Sequence, residues 1–192
     1  AFRFDKTILQ RDESRGKRRK ALQILQAALE AVEPVSAVKR AVSLRGNLLR
    51  VGVMGYDLAR YRRLIVVGAG KASCAMAQAV EEVLGNRIAG GWVNVKDGYT
   101  APTTRVHIHE AGHHLPDARG VAGAREIARL LREAGPDDLV LCLISGGGSA
   151  LMTLPVEGVP QADVQALTTA LLRCGATINE INSVRKHLSQ VK

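Results

Sequence analysis

Ser145-Gly146-Gly147-Gly148-Ser149 is the stretch of this 192-residue sequence whose residue types are best suited to holding a ligand. Consecutive glycines let the backbone turn sharply and bring successive N–H groups to bear on one point, with no Cβ in the way. A phosphate or carboxylate is the natural occupant of such a nest, and the flanking serine hydroxyls add donors. A ligand-free strand-to-helix turn is the plain alternative, but three glycines bracketed by serines exceed what a turn needs. A second glycine pair, Gly68-Ala69-Gly70, is followed at once by Lys71. A lysine at a helix N-terminus adds a cation where the dipole is already positive, which suits a bound anion better than it suits folding. The run is not a Walker loop, because Ile65 stands where a glycine is required, and it is an imperfect dinucleotide fingerprint, because Ser73 replaces the third small residue.

Four histidines, His107, His109, His113 and His114, fall within eight residues. Zinc accepts such ligands, yet no cysteine or paired carboxylate completes a set, so no metal ligand is assigned and a substrate-facing role is left open for His113. Near the C-terminus Asn182, Arg185 and Ser189 follow at i, i+3 and i+7 beside an apolar stripe of Ile178, Ile181, Val184, Leu188 and Val191. Glu180 and Lys186 lie close by. A solvated helix face and a cleft wall both fit that row.

The elements that must position these residues read as alternating strands and helices. Leu139–Ile144, six apolar residues in a row, predicts a strand buried on both faces. Leu64–Val67 predicts another such strand, followed by an alanine-rich helix to about Leu84. Strands over 89–95 and 106–109 and a helix N-capped by Asp117 and running through Arg132 come next. Helices over about 161–174 and 177–191 close the chain. The pattern predicts a doubly wound, mostly parallel, Rossmann-like α/β sheet over residues 64–192. Residues 1–63 predict a basic N-terminal arm and helices packed on that core: an amphipathic helix from Lys17 to Glu33 carrying Leu22, Leu25, Leu29 and Val32, a short helix over 36–43, and an edge strand over 48–53 leading into a loop through Gly55 and Asp57.

Glycine-rich turns at the ends of two parallel strands can share one crevice, so a nucleotide polyphosphate with an acidic small substrate is the combination they suit. The formal charge of +9 resides in residues 1–63, which hold 15 Lys/Arg against 6 Asp/Glu; residues 64–192 hold 12 of each. The densest run, Lys17-Arg18-Arg19-Lys20, has no interleaved aromatic, and aromatics are 3% of the chain, so nucleic-acid binding is not favoured. No stretch reaches the length of a membrane span. Cys74, Cys142 and Cys174 sit in apolar patterns and read as buried free thiols of a reducing compartment, making the cytoplasm the expected location.

The motifs Val66-Val67-Gly68-x-Gly70-Lys71-Ala72, Glu110-Ala111-Gly112-His113-x-Leu115-Pro116-Asp117, Leu143-Ile144-Ser145-Gly146-Gly147-Gly148-Ser149-Ala150-Leu151 and the long run from Gly175 through Ile178, Glu180, Asn182, Arg185 and Ser189 to Lys192 occur in that order. Together, over roughly residues 20–192, they resemble the N-terminal portion of the glycerate 2-kinase family with a MOFRL domain, whose members are often labelled hydroxypyruvate reductases. The resemblance implies transfer of the ATP γ-phosphoryl group to the 2-hydroxyl of D-glycerate with Mg²⁺. It implies that Lys71 is the catalytic lysine, that the Ser145–Ser149 loop cradles an anionic group, and that Glu180, Asn182 and Arg185 shape the same cleft. The sequence departs from the family at His113-His114, where members read His-Pro, and in length: members continue past the equivalent of Lys192 and supply a metal-binding aspartate and an arginine from there. A truncated enzyme is therefore expected, with a homodimer one open assembly. Two other readings compete. In an NAD(P)H-dependent hydroxypyruvate reductase, Gly68-x-Gly70 would hold the dinucleotide, against which Ser73 and the lack of an acidic residue after Val95 count. A non-catalytic phosphate- or sugar-acid-binding module is the other.

Overall fold

The computed structural model describes residues 15–113 and 116–191. The early residues of the basic arm, and His114, lie outside that range. Helix α1 (Arg15–Ala31) carries the expected amphipathic pattern, but none of its residues from Gly16 onward is buried, and Ile24 is 71% exposed. Pro34 does not close this helix; it opens α2 (Pro34–Ala41), where its missing N–H costs nothing and Glu33 accepts bonds from the Val35 and Ser36 amides.

The single edge strand expected near residue 50 is instead the middle of an antiparallel meander: β1 (Val42–Arg45), β2 (Leu48–Val51) and β3 (Met54–Asp57). The two-residue connections Gly46-Asn47 and Gly52-Val53 account for it, and Gly55 and Asp57 are strand residues rather than a loop. Val38, Val42, Leu49 and Leu58 from this N-terminal part share one buried cluster with Leu64 and Val66 of the main sheet.

The main sheet is parallel and four-stranded, in the order β6-β5-β4-β7: β4 (Arg63–Ala69), β5 (Ile88–Lys96), β6 (Val106–Ala111) and β7 (Asp138–Ile144). Successive residues of a strand face opposite sides, and β4 shows it. Leu64 and Val66 pack with Cys74, Ala77 and Val80 of α3 (Ser73–Leu84), whereas Ile65 and Val67 pack with Ile127 of α4 (Ala118–Arg132). Helices therefore cover both faces, as the doubly wound reading expects. From β4 the chain steps outward twice to one side, then returns to place β7 on the other. The reversal falls between β4 and β7, the position where open α/β sheets bind ligands beyond their strand C-termini.

Three expectations need correction. β7 is not buried on both faces: it forms the sheet edge, Cys142 is exposed and Ile144 is 52% exposed. Of the cysteines only Cys74 is buried, because Cys142 is on that edge and Cys174 follows α6 (Gln161–Arg173) at the surface. The stripe on α7 (Ile178–His187) is likewise shallow: Ile181 is buried but Ile178 is exposed, and α7 packs chiefly against α6.

Candidate functional site

The loops after β4 and β7 are stitched into one body. Ser145 N–H donates to the Ala69 carbonyl at 3.2 Å, and Lys71 N–H donates to the Gly146 carbonyl at 2.9 Å. The Ser145 hydroxyl oxygen accepts from Ala72 N–H at 3.0 Å and lies 3.1 Å from the Ser73 hydroxyl, which reaches the Leu143 carbonyl at 3.1 Å. Gly70 N–H is taken by the Asn94 carbonyl at 3.0 Å. A Cβ on Gly68 would collide with the Leu143 carbonyl. One on Gly70, whose φ is +145°, would collide with the Ser145 side chain. These glycines are demanded by the passing second loop.

This changes the role expected for the first loop. The amides of Gly70, Lys71 and Ala72, which open α3, are already spent on the second loop and on β5. Ser145 is likewise a stitch, its hydroxyl standing in as the cap for α3. In the second loop the amides of Gly146 and Gly147 have no acceptor among the described residues. Gly147 has φ +91° and precedes the single turn α5 (Gly148–Leu151). Gly148 is buried and tight against β4, where a Cβ would meet the Ala69 carbonyl at 2.8 Å.

Gly147 marks the centre of the site. A Cβ built there would lie 2.5 Å from His113 Nε2 and 3.6 Å from Lys71 Cε. The lysine from the first loop, the imidazole from the β6–α4 loop and the two unspent amides therefore converge at the strand ends. From the far side Arg185 of α7 donates from Nη2 to the Ser149 carbonyl at 3.1 Å, and burial pushes its guanidinium below its ordinary pKa. Arg185 thus joins the site by bracing the loop from behind. Glu180 does not: its carboxylate closes a capping box with Thr177 at the start of α7, and those bonds hold its pKa down. Asn182 is exposed on the same helix.

Two groups support the site from behind; Asn94 escaped the sequence reading, whereas Asp117 is the N-cap of α4 that it expected. Asn94, wholly buried at the end of β5, donates from Nδ2 to the Leu151 carbonyl at 2.9 Å and accepts from Trp92 Nε1 at 3.0 Å. It ties the far end of the second loop to the sheet; a polar residue between Val93 and Val95 was the signal available. The His113 loop is held by Asp117, which accepts from the Gly112 and Gly120 amides at 3.0 and 2.9 Å and from Arg119. Burial raises the Asp117 pKa, but the Gly120 amide, Arg119 and the Gly112 amide outweigh it and leave the carboxyl below its ordinary range. Arg119 also grips Asp97 in a forked pair at 2.6 and 2.8 Å. His107 and His109 stack with Trp92 on the sheet face, at centroid distances of 4.0 and 5.3 Å, away from any set of metal ligands. Among the described residues no group of three or more His, Cys, Asp or Glu side chains could hold a metal ion.

Fold and crevice together define a doubly wound α/β protein with an anion-suited site at its topological switch point. The chain belongs to the family described as Domain of unknown function (DUF4147), which it matches over residues 20–192. It is 40% identical over 171 residues to a protein named glycerate 2-kinase from Pyrococcus horikoshii, covering 89% of this chain and 38% of that one. It is 48% identical over 130 residues to a putative hydroxypyruvate reductase from Agrobacterium vitis, covering 68% of this chain and 34% of the other. The crystal structure of a glycerate kinase from Thermotoga maritima superposes with a TM-score of 0.76 at 42% identity, over 91% of this chain and 39% of that one. The chain thus spans well under half the length of these relatives.

Proposed function

We propose that this chain forms part of a glycerate 2-kinase, which transfers the γ-phosphoryl group of ATP to the 2-hydroxyl of D-glycerate. The observation carrying the reading is the convergence of Lys71, His113 and the Gly146 and Gly147 amides at the switch point. In the reaction the 2-hydroxyl oxygen bonds to the γ-phosphorus, the bond from that phosphorus to the β,γ-bridging oxygen breaks, and the hydroxyl proton is released. The transferring group carries spread negative charge, so positioning and charge neutralisation do most of the work. Lys71 offsets that charge, the two amides hold an oxyanion, and Arg185 keeps the loop in register through the Ser149 carbonyl. Magnesium would come with the nucleotide phosphates and offset part of their charge.

A dinucleotide reductase is disfavoured by the same geometry. Its diphosphate would need the amides of residues 70–72, and all three are committed to protein acceptors.

The test is ADP release from MgATP with D-glycerate, the product assigned by phosphorus NMR, using this chain and a version extended to the length of its relatives. Formation of 2-phosphoglycerate that drops at least about 100-fold in Lys71→Ala supports the reading. NADH oxidation with hydroxypyruvate, or glycerate binding without turnover in the extended protein, overturns it.

A further inference from the structure

At the opposite end of the sheet, below the first residues of β4 and β5, lies a cavity of about 260 Å³ whose polar lining is Tyr61, Arg62, Arg63, Asn86 and Arg87. Two of these guanidiniums, those of Arg62 and Arg63, are held by one carboxylate beside the cavity, that of Asp138. Asp138 accepts from Arg62 at 3.1 and 2.8 Å and from Arg63 at 3.2 and 2.7 Å, and its own side chain is inaccessible. Arg87 donates from Nη2 to Asn47 Oδ1 at 2.7 Å. Arg63 also reaches the Glu133 carbonyl at 3.1 Å. These bonds fix the guanidiniums in place while leaving the Nη1 group of each without an acceptor among the described residues. The arginines have therefore already lost side-chain freedom that binding would otherwise cost.

We propose that this cavity is a second anion site, for a small phosphate or phosphate monoester held by Arg62, Arg63 and Arg87. Its volume falls below the range of roughly 300–1,000 Å³ usual for larger ligands, which favours a compact metabolite. The seven residues of β4 separate it from the Lys71 crevice by about 20 Å, so the two sites cannot share one molecule.

Titration of the 192-residue chain with inorganic phosphate, followed by amide NMR shifts, tests it. Saturable shifts are expected at residues 61–63 and 86–89. Affinity is expected to fall about tenfold in Arg87→Gln and in Asn86→Asp, which adds a like charge without removing a guanidinium. In Lys71→Ala it is expected to be unchanged. Shifts confined to residues 145–149, phosphate binding lost in Lys71→Ala, or full affinity in both cavity variants would overturn the assignment.

Discussion

The side chains with chemistry in this protein are placed by residues with none. Gly147 lies beside both His113 and Lys71, and it is a left-handed residue with no room for a Cβ. Gly147→Ala should therefore cost about 1 kcal/mol or more in unfolding free energy. It should also push the imbalance toward function: activity in the glycerate assay is expected to fall far more than stability, since the methyl group must displace His113. Asn94 makes the opposite case. Replacing it by alanine leaves the Leu151 carbonyl and Trp92 Nε1 without their partner in a buried setting, a loss of about 1–3 kcal/mol readable by urea unfolding. Lys71 and His113 stand out in the sequence because each follows a glycine, and Arg185 because it borders an apolar stripe. A glycine required by a neighbouring backbone, as Gly68 and Gly70 are by the second loop, looks the same in sequence as one required by a phosphate.

At the level of elements, β4 and β7 are joined at both ends by different means. Their C-terminal ends are joined by the loop hydrogen bonds, their N-terminal ends by Asp138 with Arg62 and Arg63. Hydrogen bonds from Arg63 and then Arg62 hold the Asp138 carboxyl far below the usual carboxylate range. A depressed carboxylate contributes stability that is fully present above its unfolded pKa of about 3.9 and is lost as pH falls below it. Asp138→Asn is thus expected to lower the unfolding midpoint at pH 7, and the gap from the parent should narrow progressively below about pH 4. The parallel sheet itself was legible in the sequence, because Leu64–Val67 and Leu139–Ile144 are apolar runs followed by glycine turns. The meander was not: β1 to β3 are four residues each, too short for their alternation to register. Nor was the edge position of β7, since an apolar run looks alike whether one flank is paired or both.

Taken whole, the described residues leave one edge of the main sheet without a strand partner. Among the described residues β7 pairs only with β4, and its Cys142 and Ile144 are exposed. Such an edge is a template for further strand pairing. The 192-residue chain in solution is expected to self-associate in a concentration-dependent way by light scattering, and Ile144→Lys should shift it toward monomer; a parent that stays monomeric at all concentrations would contradict this. The stitching of the two crevice loops also sets a limit on how such a chain can diverge. A residue inserted into either loop would misalign the Lys71–Gly146 and Ala72–Ser145 bonds together, so length changes in one have to be matched in the other. The pair descends as a single heritable unit, and new substrate preferences are free to arise only in what stands around it.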